Sequence, residues 1–298
     1  MNCALCEINP REEDSHIIPS FVFRWLKRTS ATGFLRSTGN INQRIQDGEK
    51  YPLLCRQCED AFSVWETAFA NEVFFPLTEA SRLENRGVNK SIFYGKYTLP
   101  FCVSVLWRAL HYLWIDNSYQ NESLEADFKS RLKPAYDRWQ QFLLKKVPHP
   151  GGFNVHIFPV DTIESGHLPG NPGSINMYLV RGVDMNLIYN EVRGHVCVKL
   201  PYMIILGRIF DLEPKFGESS RIRVQKGMIG HKNLKITGDV WNFLFTRSRL
   251  IDEKFETMSA RQKSKVDEAI LQNPERSQNS PSFEAGVKDS ILKRKPKH

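Results

Sequence analysis

Apolar residues recur along the first half of the chain at intervals of three and four. Phe62, Trp65, Phe69 and Val73 form one such stripe, the spacing of a helix with a single buried side. Residues 101–115 are apolar almost all round, interrupted by Arg108 and His111, which predicts a deeply buried helix. Residues 123–146 are amphipathic, with Leu124, Phe128, Leu132, Tyr136, Trp139 and Leu143 on one side and Pro134 as a kink. The breakers V-P-H-P-G-G-F at 147–153 close this region.

Beyond them the pattern changes to short β runs at 154–160, 175–180, 186–189, 195–200, 203–210 and 221–226. Turn clusters such as G-H-L-P-G-N-P-G separate these runs, and no helix-length pattern lies between them, so a mostly antiparallel sheet is expected. A last helix is expected at about 250–271, and the Ser-, Pro-, Lys- and Glu-rich tail ending K-R-K-P-K-H is expected to be disordered. The fold class is therefore α+β. Its expected parts are an N-terminal module over 1–75, a helical region over 76–147 and an antiparallel β region over 148–250, then a helix over 251–272 and a basic tail over 273–298.

Composition adds limits. At 298 residues, 41% hydrophobic and 25% charged, the chain can bury a core without covalent help, which excludes a disordered, collagenous or miniature disulfide-held class. No apolar run approaches the roughly 20 residues of a membrane span, and the first residues lack a signal-peptide core. A cytoplasmic protein with no membrane partner is the expectation. The 41 basic and 33 acidic side chains leave a net charge of +8, which permits a nucleic-acid partner without requiring one.

The cysteines carry the sharpest chemical signal. Cys3 and Cys6 form one C-x-x-C, Cys55 and Cys58 a second, and Cys102 and Cys197 stand alone in apolar runs as inert core thiols. Two such pairs in a chain with no secretory signal read as four thiolates on one structural zinc ion. Two unrelated redox pairs are the other reading. The separation of the pairs exceeds ordinary finger spacing, so further structure is inserted between them. His149, His156, His167, His195 and His231 show no metal-ligand spacing.

Between the pairs lies Asp14-Ser15-His16-Ile17-Ile18-Pro19. C-x-x-C, then H-I-I-P, then C-x-x-C resembles the zinc-braced branch of the HNH (ββα-metal) endonucleases, over about a quarter of the chain. The resemblance implies a zinc-bound HNH or treble-clef-like module with His16 as general base in phosphodiester hydrolysis. A second divalent ion, Mg2+ or Mn2+, would stabilise the developing charge. Where the family carries Asp or His before the base, this chain has Ser15, leaving Asp14 and Glu66 as the expected ligands of that ion. Asn40 and Asn42 are the options for the residue that orients the base. The alternative is a catalytically degenerate zinc-finger module that binds nucleic acid or a protein partner.

From Ser15 through Gln46 there is no acidic residue, while Arg24, Lys27, Arg28, Arg36 and Arg44 accumulate, the first of them interleaved with Phe21, Phe23 and Trp25. Such cations neutralise phosphates, and aromatics stack on unpaired bases when they are not anchoring a helix. A second basic stretch runs from Arg221 and Arg223 through Lys232 and Lys235. Alternation there sets Arg221 and Arg223 opposite Ile222 and Val224, so a cationic surface for nucleic acid and an ordinary solvated one are both open.

Overall fold

The structure, a computed structural model, describes residues 1–11, 14–83, 91–116, 126–163, 171–213, 219–230 and 236–294. Leu124, His167, His231, Lys232, Lys235 and the last four residues of the basic tail lie outside them.

The chain opens with the first cysteine pair and β1 (Asp14–His16), then enters α1 (Ser20–Arg28) directly after Pro19. A short hairpin of β2 (Leu35–Arg36) and β3 (Arg44–Ile45) follows, and β4 (Lys50–Pro52) returns to pair antiparallel with β1. The second cysteine pair starts α2 (Arg56–Phe69), which passes through a π-helical turn, Ala70–Phe74, into α3 (Phe75–Leu83). The stripe Phe62, Trp65, Phe69 and Val73 is buried along this helical run. Next come β5 (Ile92–Tyr94) and α4 (Thr98–Leu110), which continues as a π-helix over His111–Asp116. The 101–110 segment of α4 is buried on every side, as expected of a helix apolar all round. α5 (Ala126–Leu143) runs on through Pro134.

The second half holds β6 (Val155–Pro159), α6 (Ile175–Arg181), β7 (Asp184–Tyr189), β8 (Arg193–Leu200), β9 (Met203–Asp211) and β10 (Gly227–Ile229). It ends in α7 (Gly238–Glu256), α8 (Ala260–Gln272), α9 (Pro274–Gln278) and α10 (Pro281–Arg294). Four strands form an antiparallel sheet in the order β6-β9-β8-β7, and β10 pairs with β5. Val196, Val198, Met203 and Ile205 join the core built around α4 and α5. Their neighbours Cys197, Ile204 and Leu206 join a second core with residues of α6, α7 and α10. Because helices cover both sides of the sheet, its central strands read as unbroken apolar runs instead of alternating ones. An α+β fold with an N-terminal cysteine region, a helical middle and an antiparallel β region is what the structure shows.

Four local expectations are corrected. Residues 175–180 form α6, not a strand, because distant groups satisfy both helix ends. The Asp289 carboxylate accepts from Asn176 N and Met177 N at 2.7 and 2.9 Å, and the buried Lys199 ammonium donates to Leu179 O at 2.7 Å. Each charge opposes the helix dipole end it meets. Residues 221–226 make one isolated bridge, Arg221 to His156. The ladder stops there because the Arg223 N–H turns to the Tyr94 hydroxyl at 2.9 Å. The expected single C-terminal helix is α7 and α8, broken before Ser259, whose side chain caps α8. The tail expected to be disordered contains α9 and α10, since Ala285, Asp289 and Leu292 are buried and give α10 a packing surface. Composition alone does not reveal such docking.

Candidate metal centre

The four paired cysteines meet. Cys3 and Cys6 sit on a tight knuckle in which Glu7 N donates to Cys3 O at 2.9 Å and Glu7 takes a φ of 61°. Cys55 is the extended N-cap of α2, so Cys58 falls on its first turn, with Cys58 N and Glu59 N donating to Cys55 O. The β1–β4 ladder and the bond from Ala4 N to Leu53 O, 2.9 Å, bring the knuckle to the helix start.

The four sulfurs lie within 4.8 Å of one another, and Cys6 Sγ is 3.8 Å from Cys55 Sγ. A tetrahedral ion with Zn–S bonds of ~2.3 Å sets its sulfurs ~3.8 Å apart. A disulfide would need ~2.05 Å, and all six cysteines are free thiols. The Cys3 thiol is lowered to about 4, first by the hydrogen bond from Cys58 and against the effect of burial, with backbone N–H groups of Cys6, Cys55 and Leu5 assisting. Cys58 is pushed up by that same bond, by burial and by the charges of Cys3 and Cys55. Thiolates crowded in this way repel one another unless a cation joins them. Asn9 Nδ2 approaches Cys55 Sγ at 3.8 Å from outside the cluster and also holds Gln57, the kind of outer contact that orients a metal-ligating sulfur.

This soft, closed, four-sulfur set fits zinc. Cys3, Cys6, Cys55 and Cys58 would hold the ion, which would cross-link the N-terminus to α2 and leave no coordination position for water. Cys102 and Cys197 are buried apart from this cluster, and burial raises both thiols.

His16 is differently employed. Its Nε2 lies 2.7 Å from Asp47 Oδ2, and its carbonyl accepts from Arg108 Nη1 at 2.7 Å. Burial tends to raise Asp47, but the hydrogen bonds from His16 and Gly48 N and the charges of His16 and Lys50 hold it below the usual carboxylate range. Ser15 is buried and its hydroxyl accepts from Leu54 N, while Asp14 is exposed. Glu66 pairs with the buried Arg108 at 2.8 Å. Asn42 accepts from Ser259 N, and Asn40 from Asn42 N.

Of the cations singled out from sequence, Arg24, Arg28, Arg44 and Arg223 are exposed. Lys27 and Arg221 are half-buried. Arg36 is committed inward, donating to Ile41 O at 2.8 Å and Gln262 Oε1 at 2.9 Å, and Arg44 lies over the Phe34 ring at 3.4 Å. Sequence reasoning missed Asp47 and Asn9, which no motif marks. Arg108 was visible as the lone cation of an apolar run, though not as the partner of His16 and Glu66.

Comparison with family models, curated proteins and solved structures found no match for the chain. The HNH resemblance is corrected by the metal-holding residues themselves. The group of residues able to hold a metal, among those described, is the four-cysteine cluster alone. His16, Asp14 and Glu66 do not converge on a second ion, so neither the nuclease reading nor a catalytic Mg2+ or Mn2+ stands. H-I-I-P misled because the same residues serve a structural junction, where β1 turns into α1.

Proposed function

We propose that the chain is a zinc-braced binding module that engages nucleic acid through the outer side of α1, in a reducing compartment such as the cytoplasm. One observation carries this reading. Arg24 and Arg28 are exposed on α1, inside a 32-residue stretch, Ser15 to Gln46, without a single acid. Phosphates are drawn to such a surface in a salt-dependent way. The metal cluster supports it by fixing both flanks of the segment that presents these arginines. Four cysteines kept as free thiols around one point support the reducing compartment.

The test is fluorescence anisotropy with labelled nucleic acids across a salt series. Affinity is expected to fall steeply with salt, and Arg24→Glu with Lys27→Glu to weaken it by about tenfold or more with zinc content unchanged. Binding that is absent or indifferent to salt would instead favour a protein partner. The outer side of α10 would then be the place to look, because Phe283, Val287 and Ile291 are exposed there at helical spacing.

A further inference from the structure

A cleft of about 600 Å³ opens between α1 and the wall made by α2, the π-helical turn and α3. Arg24 and Arg28 stand at it, and neither is closed into a tight ion pair among the described residues. Arg24 Nη1 donates to the Ser20 hydroxyl at 2.9 Å, and Arg28 Nη2 is 3.9 Å from Glu79. Deeper in, the lining includes Trp25 and the half-buried Phe75, and the Arg28 guanidinium lies 5.9 Å from the Phe75 ring centroid. Polar groups of the same helical wall as Phe75 also line the cleft. Glu66 is fixed through Oε1 by Arg108, and Asn71 sits on the widened turn Ala70–Phe74, a helical irregularity that recurs at ligand sites.

Cations at the mouth, an aromatic ring within and an amide beside a carboxylate form the chemistry of one nucleotide: phosphate, base plane and base edge. The volume lies in the range of small-ligand pockets and cannot admit a base pair with both its strands. Resting on the nucleic-acid reading above, we infer that this cleft takes a single unpaired nucleotide, so that the protein selects single strands over duplex. Arg24 and Arg28 hold the phosphate, and the base lies against Phe75 with its edge toward Asn71 and Glu66.

The experiment uses the full zinc-loaded chain and a fluorescein-labelled oligonucleotide of about 12 nucleotides, single-stranded and as duplex, in about 150 mM salt. Single strand is expected to bind about tenfold tighter or more. Phe75→Ala and Thr67→Leu, the second filling the cleft from its exposed rim, are each expected to lower single-strand affinity about five- to tenfold while duplex affinity stays put. An iodouridine-bearing strand is expected to photocrosslink to peptides from α1 or residues 70–75. Equal affinity for the two forms, with both variants silent, would overturn the cleft and leave the cationic surface standing. Failure of either form to bind in a salt-sensitive way would overturn both.

Discussion

His195 lies on β8 wholly inside the molecule, and burial lowers its pKa to about 4. Asp239 opposes the shift, while His156, Arg193 and Arg208 add to it. The unfolded chain takes up this proton near the ordinary value of ~6.5, the folded chain only near 4. Between those values the unfolded state binds more protons, so stability falls as pH drops through that window and is untouched by this group above it. The full span is on the order of 3 kcal/mol. His195→Gln is expected to flatten the stability profile from pH 6.5 to 4, measured by urea denaturation as a difference from wild type at each pH. That difference isolates the imidazole, because both proteins lose thiolate-bound metal alike on acidification. Parallel profiles would mean that His195 is protonated in the folded state as readily as in the unfolded one. Nothing around His195 in sequence marks it as buried and neutral. The paired cysteines, in contrast, announce themselves, because their spacing is itself the ligand geometry.

At the scale of elements, α6 shows what a local pattern misses. Ile175 to Val180 reads as a strand, and the seven residues of α6 are too few to be stable as an isolated helix. The helix exists because Asp289, from α10, occupies its N-terminal amides and Lys199, from β8, its C-terminal carbonyls. α1 is closed in the same manner. Arg181 donates to Leu26 O and Thr29 Oγ1, and Arg276 to Lys27 O and Ser30 O. Asp289→Ala is expected to cost about 1–2 kcal/mol, and Asp289→Asn less because an acceptor oxygen remains. An unchanged urea midpoint in the alanine variant would mean that burial of Ile175, Tyr178 and Leu179 holds α6 unaided. Gly207 marks a second long-range constraint, since a Cβ there would sit 2.6 Å from Trp139 and 2.8 Å from Leu106. Gly207→Ala should therefore destabilise by roughly 1–3 kcal/mol through overpacking between β9 and the helices α4 and α5, visible as a lower Tm. The helices with their own apolar stripe, α2, α4 and α5, were legible in the sequence. Those whose ends or burial depend on residues a hundred positions away, α6 and α10, were not.

For the whole molecule, the question is whether the cysteine module stands alone, as its compact motif suggests. One continuous core runs from Cys3 and Leu5 through Trp25, Phe74, Phe101 and Trp107 to Val198 and Ile205 of the sheet. Polar ties cross the same boundary. Gln140 of α5 donates to Leu5 O at 2.9 Å, and Arg108 of α4 joins His16 O to Glu66. An ion binding the four thiolates would therefore clamp one wall of a shared core instead of a separable finger, and its binding free energy would count toward folding of the entire chain. Thermal unfolding of zinc-loaded protein is expected as one cooperative transition, and a strong chelator should lower that single Tm. Cys58→Ser should act in the same direction by removing one ligand, with zinc content measured alongside. Residues 1–75 alone, with zinc, should lack a cooperative melt, because Phe21 would be stripped of Phe101 and Trp25 of Tyr202. Two resolved transitions, the lower one alone sensitive to chelator, would instead make the cysteine region an autonomous unit. The α1 surface would then keep its shape without the sheet, and the fragment would bind nucleic acid as well as the full chain does.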